Sequence, residues 1–242
     1  MSFSWTRVGA ILHKELRDYR RNRFVIGTMA AFPVLFITLP TIQLIAANTT
    51  NKALTLRIGL SLLYMLVIPV MMPSVVCAYS VVGEREQGTL EPVLSTPIRR
   101  EEFLIAKALA AFVPTLLIAY AVFGIFLAIA ALFAHPVIVS TIYAGSHVLV
   151  QLLFTPLLAG WAIWVGIAVS TRSADVRVAQ QLSVLGSLPP LVIVALMSLN
   201  VISESTALAI GLAAALLAFD LLAWRVVARL FDRERLVIGG RG

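Results

Sequence analysis

The chain has 242 residues, 60% of them hydrophobic and only 13% charged, with a formal net charge of +7. Its mean hydropathy of +0.95 excludes a soluble domain, in which about a quarter of residues are charged, and describes a polytopic membrane protein. The single cysteine, Cys77, excludes an internal disulfide and any cysteine-based metal cluster.

The first element is predicted over residues 2–23. Trp5, Val8, Leu12, Leu16 and Tyr19 fall within roughly 80° of arc at helical spacing, while Arg7, Lys14, Arg17, Asp18 and Arg21 lie mostly opposite. This pattern predicts an amphipathic helix lying in the membrane interface, with aromatic rings at headgroup level and basic side chains toward water and anionic lipid. Six apolar segments follow, each near the roughly 20 residues needed to cross a bilayer, over 24–47, 58–82, 103–133, 147–170, 182–200 and 205–226. Between the fourth and fifth lies the polar turn from Arg172 to Arg177, and the tail after the sixth is again charged.

Orientation follows from the basic residues. With the N-terminus inside, only Lys52 and Arg57 of the 19 Lys and Arg residues fall on the outer side, as the positive-inside rule requires. Both termini and the loop after the second span then face the cytosol, and the +7 charge needs no nucleic-acid partner. The outer connections, Asn48 to Arg57, Ala134 to Ser146 and Ser198 to Ser205, are too short for an external domain. His135 and His147 flank the second of these without a nearby carboxylate, so they read as interfacial polar residues, not metal ligands. The expected fold is thus all-α: an interfacial helix followed by six transmembrane helices, with both termini cytoplasmic.

The longest charged stretch between apolar segments runs from Gly83 to Lys107. Within it Thr89 can cap a short helix, Pro92 falls in the first turn, and Leu90, Val93 and Leu94 share one face. Ser95-Thr96-Pro97 then stops that helix, because the residue before a proline is pushed out of helical geometry. The pattern Glu84-x-Glu86-x-Gly88-Thr89-Leu90-Glu91-x-x-Leu94-x-Thr96-Pro97, followed by Arg100-Glu101-Glu102 and Lys107, resembles the coupling-helix loop of ABC-2 type permeases, the membrane subunits of a large group of ABC transporters.

That resemblance implies one ABC-2 type transmembrane domain over 1–242. Residues 2–23 would form the elbow helix, 24–82 spans one and two, 83–102 the cytoplasmic coupling loop, 103–226 spans three to six, and 227–242 a cytoplasmic tail. It also implies a second permease chain, identical or related, and separate ATPase subunits that bind the ATP and magnesium; this chain itself would bind no cofactor. Glu84, Glu86, Gly88, Thr89, Leu90, Glu91, Leu94 and Pro97 would form the ATPase contact. The implied activity is export across a prokaryotic plasma membrane, and the nearly charge-free spans favour an apolar or amphipathic cargo.

Inside the spans, Pro33, Pro40, Pro69, Pro73, Pro114, Pro156, Pro189 and Pro190 interrupt helical hydrogen bonding and suit a bundle that moves. Asp220 is the one acidic residue well within a span, and an intramembrane carboxylate is a functional candidate by default. Pairing with Arg225 or Arg229 is the favoured reading; a place in the substrate path is the other. Trp161 and Trp164 lie mid-span, where they face that path or pack between helices. Gly124, Gly160, Gly166 and Gly211 allow close helix contacts.

No phosphate loop, dinucleotide fingerprint, zinc-protease motif or nucleophile elbow is present, so neither ATP hydrolysis nor covalent catalysis is expected of this chain. Two other readings remain open: a membrane anchor or sensor for an ATPase complex without transport, and an intramembrane enzyme built on Asp220.

Overall fold

The computed structural model describes residues 3–46, 54–86, 88, 98–143, 145–199 and 206–230. Every element among them is a helix: α1 (Trp5–Arg21), α2 (Arg23–Ile45), α3 (Leu54–Glu86), α4 (Arg100–Phe133), α5 (Pro136–Ile142), α6 (Gly145–Ser170), α7 (Val176–Ser198) and α8 (Thr206–Leu230). Helices α2, α3, α4, α6, α7 and α8 are long and apolar enough to cross a membrane.

The bundle is centred on α3. Its most apolar stretch is 72% buried, against 11% for α2 and 17% for α8. It packs on α2, α4, α6 and α7, whereas α8 lies outside against α6 and α4, and α1 lies against α4 and α2. Proximity at the centre comes from small residues. A β-carbon on Gly59 of α3 would stand 2.2 Å from the Ser198 carbonyl of α7, so this crossing requires glycine. Gly160 makes a comparable approach to α8, while Gly124 and Gly211, expected at such contacts, have nothing within 4 Å.

The helix bounds differ from the apolar segments where polar groups are absorbed into helical ends. Helix α7 begins at Val176, several residues before its apolar run, because the Asp175 carboxylate accepts from the backbone N–H groups of Arg177 at 2.7 Å and Val178 at 3.1 Å. Between α4 and α6, where a plain loop was expected, α5 forms a short helix. Pro136 occupies its first turn, His135 caps it through Nδ1, and Ile138 and Ile142 are buried beneath it. His147 lies 3.0 Å from the Thr141 carbonyl, so both histidines bond within this connection.

None of the intramembrane prolines breaks its helix. A proline at position i removes the donor for the carbonyl at i−4, and two of these carbonyls are satisfied from neighbouring helices. Tyr120 of α4 donates at 2.9 Å to the Leu152 carbonyl, which Pro156 leaves without its helical partner. Trp161 of α6 donates at 3.1 Å to the Gly186 carbonyl, which Pro190 leaves open in the same way. A buried serine seam joins α3 to α7, where Ser74 and Ser187 are 3.0 Å apart.

Candidate functional site

The charged end of the bundle is assembled by α1. Its buried face is Val8, Ile11, Glu15 and Tyr19, with Leu12 and Leu16 partly covered. This is rotated from the stripe expected from Trp5, Val8, Leu12, Leu16 and Tyr19, and Trp5 is 69% exposed. The rotation has an electrostatic cause. Glu15 is turned inward to meet Lys107, a cation on α4 that is wholly buried. The apolar stripe alone would leave Glu15 at its edge; docking on α4 brings it to a partner.

Lys107 lies 3.1 Å from Glu15 and 2.9 Å from Glu84, and 4.9 Å above the Phe103 ring. Lys14 contacts Glu84 and lies 3.3 Å from both Glu15 and Asp18. Cations and carboxylates thus alternate across α1, the end of α3 and the start of α4. Burial tends to lower the Lys14 pKa, but Glu15, Glu84 and Asp18 outweigh it and leave the ammonium raised. Burial also pushes the Tyr19 phenol well up, reinforced by Glu15. Isolated buried ions are costly to desolvate, so each member depends on the others for compensation.

A second pair ties the beginning of α1 to the first turn of α4. Arg7 reaches the Glu102 carboxylate through Nε at 2.9 Å and Nη2 at 2.6 Å, a two-pronged contact. The backbone N–H of Ser4 donates to the same group at 2.7 Å, and that of Arg99 at 3.1 Å. Glu102 therefore caps α4 and anchors α1 together, with its charge placed favourably at a helix N-terminus. Ser170, at the end of α6, accepts from the backbone N–H groups of Val81 and Val82 and fastens the last turns of α3.

The structure places the expected ATPase-contact residues unevenly. Glu84 faces inward, with its side chain 12% exposed and engaged by Lys14 and Lys107. Glu86 ends α3, and Gly88 follows it, exposed, at φ +67°. That left-handed geometry favours glycine, and no neighbour approaches within 4 Å. Thr89, Leu90, Glu91, Leu94 and Pro97 lie outside the described residues. Lys14, Glu15 and Arg7 were not singled out from sequence. A carboxylate at the centre of the Val8–Ile11–Tyr19 stripe, and a lysine seven residues into α4, were the available signals.

The intramembrane residues divide differently. The Trp161 ring lies 4.1 Å from that of Phe219 on α8, and one residue back along α6 Gly160 faces Asp220. A β-carbon at 160 would come within 2.4 Å of the Asp220 carboxylate. Trp164 lies elsewhere, packed against the buried cluster that includes Val81, Phe103 and Ile167. The expected pairing of Asp220 with Arg225 or Arg229 does not form. Arg225 lies 5.4 Å over the Trp224 ring, and Asp220 Oδ1 is buried with no hydrogen-bond partner among the described residues. The reason is helical phase: offsets of five and nine residues place those arginines about 140° and 180° around α8, away from the i+3 and i+4 positions that can meet.

Residues 9–203, more than half of the chain, match the family described as ABC-2 family transporter protein. The chain belongs to the ABC-2 transporter family. Among curated proteins, none matches it in sequence. The ABC-2 match runs from within α1 through α7 and includes Lys14, Glu15, Glu84 and Lys107; Arg7 lies before it, and α8 with Asp220 beyond it. Membership makes this a multi-pass permease of an ABC transporter and implies partnership with an ATP-binding subunit. In this ABC-2 chain the helices on either side of the 87–97 connection, α3 and α4, are the two that the buried ion pairs bind to α1.

Proposed function

We propose that this permease exports an apolar or amphipathic molecule across a prokaryotic plasma membrane, by alternating access, as one of two membrane chains. Both termini and the 87–97 connection are cytoplasmic, as the distribution of basic residues favours. Closure of the partner ATPase, which holds the ATP and magnesium, presses on the coupling segment around Thr89–Leu94. The chain itself carries out no covalent chemistry. The observation that best supports this reading is the bonding of α1, α3 and α4 around that connection through Lys107, Glu15 and Glu84. A push delivered there is shared among three helices at once.

Leu90→Asp and Gly88→Val test the assignment. The first places charge where an apolar docking contact is proposed; the second places a β-branched residue at φ +67°. Both variants should insert normally yet lose the partner ATPase on pull-down from the membrane, and with it the ATPase activity of the reconstituted complex. A correctly inserted Leu90→Asp protein that retained its partner and its ATP-dependent activity would refute the coupling role.

A further inference from the structure

The corner between α1 and α2 forms an open cleft of about 730 Å³. It arises because the chain leaves α1 in extended geometry at Asn22, whose side chain then caps α2 by accepting from the N–H groups of Phe24 at 3.0 Å and Val25 at 3.3 Å. The two helices are held apart at this corner, and Pro114 of α4 closes the gap behind them.

The cavity is chemically two-sided. Arg17, Arg20 and Arg21 reach the lining from α1, and Ile26, Met29 and Pro114 from α2 and α4. These arginines differ from the other basic residues near α1. Arg7, Lys14 and Lys107 are matched to Glu102, Glu15, Glu84 and Asp18, whereas Arg17, Arg20 and Arg21 have no carboxylate partner among the described residues. Arg17 lies 3.1 Å from His13 of the same wall, its one polar contact among the described residues. The apolar side begins within the first two turns of a membrane span. At about 1.5 Å per residue, Met29 lies some 10 Å along α2 from its start at Arg23. In the proposed orientation the arginines would stand at headgroup level and the apolar residues at the level of the first acyl carbons.

We infer that this corner is a binding site for one anionic phospholipid, with its phosphate held by Arg17, Arg20 and Arg21 and the upper part of an acyl chain against Ile26, Met29 and Pro114. Unpaired guanidinium groups supply geometry suited to phosphate. Basic pockets between spans at the membrane surface take anionic headgroups in this way. A free phosphate would leave the apolar wall bare, and a zwitterionic lipid would leave the arginine charges uncompensated. With the orientation proposed above, the lipid belongs to the inner leaflet; occupancy itself depends on neither transport nor the ATPase.

The experiment is native mass spectrometry of the purified full-length permease, titrated with phosphatidylglycerol, with phosphatidylcholine of the same chains, and with glycerol phosphate. One phosphatidylglycerol per chain should survive at activation energies that strip phosphatidylcholine. Retention should fall on the order of a hundredfold in Arg17→Gln/Arg20→Gln/Arg21→Gln. It should also fall in Met29→Trp and, at an exposed position that leaves the fold unstressed, in Ile26→Trp, because each fills the apolar side and leaves every charge in place. Equal retention of the two lipids would overturn the inference. Undiminished binding in both tryptophan variants would reduce it to diffuse surface attraction and overturn it equally. So would competition by glycerol phosphate as effective as that by phosphatidylglycerol.

Discussion

The two ends of the polar chemistry in this molecule follow opposite rules. At the charged end, buried ions are matched with ions: Lys107 with Glu15 and Glu84, and Arg7 with Glu102. Within the spans, apart from the Ser74–Ser187 pair, polar side chains are matched with the backbone: Trp161 with the Gly186 carbonyl and Tyr120 with that of Leu152. The first arrangement is strong and intolerant, since removing one ion strands the rest. The second is modest and local, each bond mending a single gap left by a proline. Asp220 obeys neither rule, having no ion pair and no bond at Oδ1 among the described residues.

Perturbing each region should sharpen that contrast. The largest effect is expected from Lys107→Met, which leaves Glu15 and Glu84 buried with only the partly exposed Lys14 against them among the described residues. Stability should fall by about 3–5 kcal/mol, measured by thermal or denaturant unfolding in detergent, and Lys107→Met/Glu15→Leu/Glu84→Leu should recover most of the loss. If the triple variant were as unstable as the single one, the penalty would come from packing and not from stranded charge.

Gly160→Ala ranks next, at about 1–3 kcal/mol, because the new methyl overlaps the Asp220 carboxylate. Asp220→Ala in the same chain should relieve it; the same unfolding assay, with no relief, would show that α6 and α8 are spaced by other contacts. The smallest effect is expected from Trp161→Phe, about 1 kcal/mol, the scale of an interhelical hydrogen bond in lipid. That cost should shrink in a Pro190→Ala background, where the Gly186 carbonyl regains a helical donor. A double-mutant cycle measures the difference, and additivity of the two changes would rule out the repair.

The architecture was legible because each span needs a long apolar run and water cannot replace it. The segments expected over 103–133 and 147–170 correspond to α4 and α6 within a few residues. Where bounds shifted, as at Asp175 before α7, a cap extended the helix past its apolar part. The short α5 escaped notice because seven residues give too little periodicity to stand out from a loop. The phase of α1 was misjudged for a different reason. Hydrophobicity alone centred the apolar stripe near Leu12, but the face buried in the protein runs through Glu15, drawn inward by a lysine 92 positions away. Such a pairing is set by tertiary approach, which no local pattern encodes. The proline repairs were hidden likewise, since Trp161 and Tyr120 reach across to other helices. The Asp220 pairing, by contrast, could have been rejected from sequence by counting turns.

The length of α4 carries one more consequence. The apolar stretch from Ala108 to Phe133 already exceeds the roughly 30 Å of hydrocarbon, so the segment from Arg100 to Lys107 stands about 12 Å clear of it. Under the coupling proposed above, this projecting segment would act as a lever, with α1 bound along it through Glu102 and Lys107. Force applied at the tip by a partner would be turned into rotation of the whole strapped group. The point at which it could bend is Pro114, seven residues beyond the lashing at Lys107, where the helix lacks a backbone donor.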